Sequence, residues 1–167
     1  TKKALLLLAS AVTFVSCNTM NEKAEESAEL VVENALLKEW TGPYGGVPAF
    51  DLMKIEDVKA AMLTGMELNL EDIEVIANNA DAPTFENTIA EMERAGQELD
   101  RGFAYYGILS ANMSSPEFRD IQTELAPLFS EFESKITQNE KLFQRIKSVY
   151  DASLEKPLDK DQQRVVD

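Results

Sequence analysis

From residue 55 to the end, the chain alternates apolar and polar positions with the period of helices. Val58, Met62, Met66, Leu70, Ile73 and Ile76 recur every three or four residues, which predicts a long helix starting at Ile55 or Glu56. Glu56 and Asp57 would sit at its positive end. Asn78 and Asn79 would end it, since Asn tolerates the left-handed conformation. The stretch "APTFENTIAEME" (82–93) then restarts the pattern. Pro83 blocks continuation and Thr84 offers a hydroxyl to a free backbone N–H. Phe85, Ile89, Met92, Gly96, Leu99, Phe103 and Tyr106 follow in a 4-3 alternation, a seam for shallow antiparallel packing. Gly96 costs about 1 kcal/mol relative to Ala inside a helix, so its place on the seam predicts close approach of a neighbour.

A third helix begins at "SSPEF", with Ser115 as cap and Pro116 in the first turn. Leu125, Leu128, Phe129, Phe132 and Ile136 form its apolar face, and Pro127 predicts a kink or a split. Asn139 caps a fourth helix with Leu142, Phe143, Ile146 and Val149 as its stripe. Asp159 opens a fifth at "KDQQRVVD", where the sequence stops without a helix-ending signal, as a chain cut within a helix or a frayed tail would. Upstream, residues 34–40 permit a short helical turn. "TGPYGGVPAFD" (41–51) enforces an extended, turn-rich lead-in, with Gly45-Gly46 read as a bend. The fold class is all-α: antiparallel helical hairpins or a bundle.

Composition narrows the chemistry. The chain has 167 residues, 30 acidic and 16 basic, for a formal charge of −14. That opposes nucleic acid and anionic membrane surfaces as partners. There is no histidine, and Cys17 is the single cysteine. The usual zinc sites and His-dependent nucleophiles therefore have no ligands or bases here. Glu67, Glu71 and Glu74 share one helix face, but ligands from one helix cannot wrap a cation, so a solvated face is the reading. Glu91, Glu98 and Asp100 read the same way. Trp40, Tyr105 and Tyr106 offer rings for stacking on a ligand or for the core. No phosphate-binding glycine loop or solenoid repeat is present.

The start has its own logic. "TKKALLLLASAVTFVSC" (1–17) has two lysines and then an apolar run too short to span a bilayer as an ordinary helix. Ending at Cys17, it resembles a lipoprotein signal peptide whose cysteine is acylated. An ordinary secretion signal with an incidental Cys17, or a buried apolar helix, are the alternatives. Residues 18–33, "NTMNEKAEESAELVVE", read as an acidic tether. The expectation is a bacterial cell-envelope protein, lipid-anchored through Cys17 on the periplasmic or outer-membrane face.

Residues 34–167 resemble the N-terminal helical region of the thimet oligopeptidase and peptidyl-dipeptidase family of zinc metallopeptidases. "PAFDLMKIED" (48–57), "IEVIANNADAPTFENTI" (73–89), "ERAGQEL" (93–99), "LSAN" (109–112), "APLFSEF" (126–132), "NEKLFQRIKSVYD" (139–151) and "QQR" (162–164) carry the resemblance in order. It implies part of a larger, mostly helical lobe walling a channel for short peptides. Zinc would be held through H-E-x-x-H and a later glutamate in a C-terminal catalytic part, with dipeptides released from substrate C-termini. None of those motif positions falls in this chain, so no catalytic, cofactor-binding or metal residue is assigned here. The segment is expected to be inactive alone, its partners being the catalytic part, short peptides and, through Cys17, a membrane. The alternative is a non-enzymatic helical lipoprotein acting as a binding module.

Overall fold

The computed structural model describes residues 34–43 and 46–167; the signal-like segment 1–17 with Cys17, the acidic stretch 18–33 and Gly45 lie outside them. Every regular element among the described residues is helical. A single 3₁₀ turn, Phe50–Leu52, leads into α1 (Ile55–Ala77). A π-wound turn, Phe85–Ala90, runs directly into α2 (Glu91–Arg94). Then come α3 (Gln97–Ala111), α4 (Pro116–Thr137), α5 (Glu140–Glu155) and α6 (Lys160–Val166).

The helix starts obey local chemistry. Thr84 Oγ1 accepts from Asn87 N at 3.1 Å while Asn87 Oδ1 accepts from Thr84 N at 2.8 Å, a reciprocal capping box with Asn in the usual Glu/Gln place. Ser115 Oγ accepts from Phe118 N and Asn139 Oδ1 from Leu142 N. Asp159 Oδ1 accepts from both Asp161 N and Gln162 N. Each satisfies donors that the first turn leaves orphaned.

α1, about 34 Å long at 1.5 Å per residue, is the common wall of two apolar clusters. Its first half carries Val58, Ala61, Met62 and Met66 against Leu99, Tyr105 and Leu109 of α3 and Phe118 and Leu125 of α4. Its second half carries Ile73, Ile76 and Ala77 against Leu142 of α5, flanked by Met92, Ile136 and Ile146. The α1–α3 pair is antiparallel and close. A Cβ on Gly65 would lie 2.9 Å from Leu99 Cα, and one on Gly102 3.2 Å from Met62 Sδ. By contrast α1 and α4 run parallel in a constant register: Lys59 Nζ donates to Glu124 Oε2 and, further along, Asn139 Nδ2 donates to Glu74 Oε1, each pair 65 residues apart.

Residues 34–37 form a turn rather than a helix, closed by Leu37 N on Asn34 O at 3.1 Å. It drives Leu36 and Leu37 into the first cluster. Asn34 Nδ2 on Asp57 O and Arg101 Nε on Leu37 O hold it there.

The structure departs from the sequence pattern at five points. The expected continuous helix from Phe85 to Tyr106 breaks: Ala95 is extended (ψ 145°) and Gly96 is left-handed (φ 77°). The close approach predicted at Gly96 is real, since a Cβ there would meet Asn69 Nδ2 at 2.0 Å, and Gly96 N donates to Asp72 Oδ2 at 3.0 Å. The break shifts the phase of the seam, so Gly102, Tyr105 and Leu109 are buried in α3 and Phe103 is exposed. In α5, Phe143 is 56% exposed, not part of the buried stripe; Arg145 takes a buried place instead. α4 is continuous across Pro127 rather than split. Thr123, whose carbonyl loses its i+4 donor there, is exposed, so water can satisfy it. Asn78 ends α1 at φ −97° rather than in the left-handed region, using Nδ2 to donate to Glu74 O at 2.8 Å.

Candidate functional site

Two places concentrate polar chemistry. The first is a corner where the 78–84 connection meets α5. Arg145 is 6% exposed. Its Nη1 donates to Asn79 O (2.7 Å) and Asp81 O (3.1 Å), and its Nη2 to Asn87 Oδ1 (2.9 Å) and Asn87 O (3.4 Å). These partners are neutral carbonyl and amide oxygens, and Nε is buried without one. Asn87 is the hub: Oδ1 also accepts from Thr84 N and from Thr88 Oγ1, and Nδ2 donates to Ala82 O. A planar guanidinium presenting a fixed fork of donors suits a cluster of converging carbonyls. The corner is a latch. Its Nη donors are turned onto main-chain carbonyls and the Asn87 amide, where they tie the 78–87 connection to α5.

The second is a groove of about 1160 Å³ between α1 and α4. Leu63, Met66, Leu70, Val75, Leu128 and Phe132 give it apolar walls. Glu67, Glu71, Glu74 and Glu131 border it, against one cation, Lys135. Lys135 Nζ pairs with Glu131 Oε1 at 2.7 Å. That hydrogen bond first, and the lysine's charge second, hold the Glu131 carboxyl below its ordinary range. Glu67, Glu71 and Glu74 thus share a helix face, as their spacing predicts, and that face borders an apolar trough.

The remaining candidates disperse. Glu91 pairs with Arg94 on the helix surface, and Glu98 with the half-buried Arg101 that also holds Leu37 O. Tyr105 is a core residue: fully buried, its Oη accepts from Ala49 N at 2.8 Å, and the edges of Trp40 and Phe50 meet its ring. Tyr106 stacks in T-shaped fashion with Phe103, Phe118 and Phe129. Gly46 lies at φ 85° in the lead-in. Among the described residues no group of three His, Cys, Asp or Glu could hold a metal ion, and no helix is long and apolar enough to cross a membrane. Among the described residues there is no histidine or cysteine, the usual zinc ligands. Sequence reasoning missed Arg145 altogether. A cation at i+3 of the apolar Leu142, where the stripe expects a core residue, was the available signal.

Residues 59–167 match the model of the neurolysin/thimet oligopeptidase N-terminal domain. The chain is similar to the dipeptidyl carboxypeptidases of Escherichia coli strain K12 and of Salmonella typhimurium strain LT2, at 28% identity over 134 residues in each case. That alignment covers 80% of this chain and 20% of either relative, so the chain spans about a fifth of the length of the curated proteins it matches. The matched region includes α1 from Lys59 onward, the Thr84–Asn87 capping box and the Arg145 latch. On that match the chain belongs to the neurolysin/thimet oligopeptidase N-terminal domain family.

Proposed function

We propose that the chain is the non-catalytic N-terminal helical part of a zinc-dependent peptidyl-dipeptidase, and that its helices wall the channel through which short peptides reach a catalytic part carried elsewhere in the polypeptide. The observation that carries this reading is the family match across 59–167. The relatives are named as dipeptidyl carboxypeptidases, which points to release of dipeptides from the C-terminus of short substrates. Zinc belongs to the catalytic part in this reading. Cys17, acylated at the end of a lipoprotein-type signal, would tether the enzyme to the bacterial cell envelope through the acidic 18–33 stretch.

The test is direct. The gene should continue past codon 167 into an H-E-x-x-H motif. The longer product should release dipeptides from blocked short peptides in a chelator-sensitive way, while the 167-residue chain should not. A stop codon after Asp167, or chelator-sensitive cleavage by the short chain itself, would refute the reading.

A further inference from the structure

Phe143 stands outside the core, against the periodicity that would bury it, and it has company. Among the described residues, α5 is the helix with three large apolar side chains left open: Phe143 (56% exposed), Tyr150 (39%) and Leu154 (63%). They lie about 100° round the helix from the buried Leu142, Val149 and Ser153. With Lys147 between them they follow a 4-3-4 spacing over about 17 Å of helix. That is the seam of a two-stranded coiled coil, with Phe143 and Tyr150 at d and Lys147 and Leu154 at a.

The seam matches itself in reverse. In an antiparallel pair each a position faces a d position. Phe143 then meets Leu154 of a second copy and Lys147 meets its Tyr150, each contact made twice about a two-fold axis. The Lys147 ammonium, which engages Asp151 on its own helix, lies over an aromatic face with Asp151 of the second copy one position further on. A parallel pair would set Lys147 against Lys147. A lone lysine at an a position fixes register and orientation in this way, at a cost in stability. Charge also selects this helix. The chain carries −14, yet α5 holds three acids and three bases, whereas α1 holds six acids to one base and α4 five to two. A second copy meets a neutral helix here and an acidic one at α1 or α4, while distant charges are screened over about 8 Å at physiological salt.

We propose that α5 is a self-association surface, on which two copies pair their α5 helices antiparallel about a point between Ser148 and Val149. Three apolar side chains per copy make an interface below the standard size of about 1,600 Å², so the dimer is weak, with a Kd above about 1 µM. The pairing needs no catalysis and stands apart from the peptidase reading.

Sedimentation equilibrium of the 167-residue chain, loaded from about 5 to about 500 µM, should show monomer and dimer. Phe143→Gln and Leu154→Gln, both at exposed positions, should each weaken the dimer at least tenfold with the urea midpoint unchanged. Lys147→Glu should weaken it at least fivefold, by setting acid beside Asp151 of the second copy. A monomer throughout the range, or a dimer indifferent to both glutamine variants, overturns the proposal. Disulfides in a Cys17→Ser background read the orientation. Phe143→Cys and Leu154→Cys chains, mixed, should cross-link to each other at least tenfold faster than either does to itself; equal rates overturn the antiparallel pair. Where the gene continues past codon 167, the Leu154→Cys thiol of the longer polypeptide, diluted below about 1 µM so that copies are apart, should react with a maleimide as fast as in the 167-residue chain. A tenfold slower reaction would mean that the rest of the polypeptide covers α5, and overturns the second copy as its occupant.

Discussion

Replacing Arg145 by Met isolates the latch. Methionine keeps an apolar stem of similar length and removes all four hydrogen bonds to Asn79 O, Asp81 O, Asn87 O and Asn87 Oδ1. Bonds from a charged donor contribute about 1.5–3 kcal/mol each, but two facts cut the sum. The methionine variant carries no guanidinium, so no charge has to be desolvated on folding. Asp81 is exposed and Asn79 half-buried, so water reaches their carbonyls once the guanidinium is gone. The 3.4 Å contact to Asn87 O adds little. What remains is the loss at Asn87 Oδ1 and the freed loop, together about 2–4 kcal/mol, a large share of the stability of a small domain. Urea unfolding of the 167-residue chain followed by far-UV circular dichroism reads this as a lower midpoint at unchanged slope. A double-mutant cycle with Asn87→Ala should give a coupling of about 1 kcal/mol, because part of each single loss is the same bond. Loss under about 0.5 kcal/mol in Arg145→Met, or strict additivity with Asn87→Ala, would refute the latch.

Gly65→Ala places a methyl against the Leu99 backbone, which cannot step aside as a side-chain tip can, and should cost about 1–3 kcal/mol in the same unfolding assay. Gly96→Ala meets Asn69 Nδ2 and a left-handed φ; adding Asn69→Ala should recover the contact part of the loss while the backbone part, about 1 kcal/mol, persists. Tyr105→Phe strips the acceptor from Ala49 N in a fully buried setting and should lower stability by about 1–2 kcal/mol, with hydrogen exchange at Ala49 accelerated beyond its neighbours. On the proposal that Cys17 carries a lipid, the native chain should partition with bacterial membranes and take up a radioactive fatty acid, and Cys17→Ser should do neither; unchanged partitioning would defeat the anchor.

What the sequence disclosed was what short-range chemistry decides. Thr84, Ser115, Asn139 and Asp159 each cap the helix that follows, because an oxygen two or three residues from a free N–H needs no tertiary help. The all-α class followed from the same periodicity; of the expected seam, Gly96 and Leu99 kept their buried places, while Phe103 did not. What escaped was set by residues far away in the chain. The break at Ala95–Gly96 interrupts a pattern that runs on unbroken in the sequence; Asp72, 24 residues earlier, takes the Gly96 N–H and Asn69 fills the space a side chain would need. Arg145 reads as a surface cation until carbonyls 58 to 66 residues upstream converge on it. The groove was half legible: Glu67, Glu71 and Glu74 announced a shared face, but the parallel register that lays α4 beside it comes only from the folded chain.

Among the described residues, α1 joins two apolar clusters of unequal size, eleven buried residues at its N-terminal half and four at its C-terminal half. A rod clamped firmly at one end and lightly at the other does not melt evenly. Amides near Met62 should open only with global unfolding, whereas those near Ile76 should open first, together with α5 and α6. The light end is also the end the latch secures, so trimming that contact would turn a cooperative transition into a staged one, peeling from the C-terminal side.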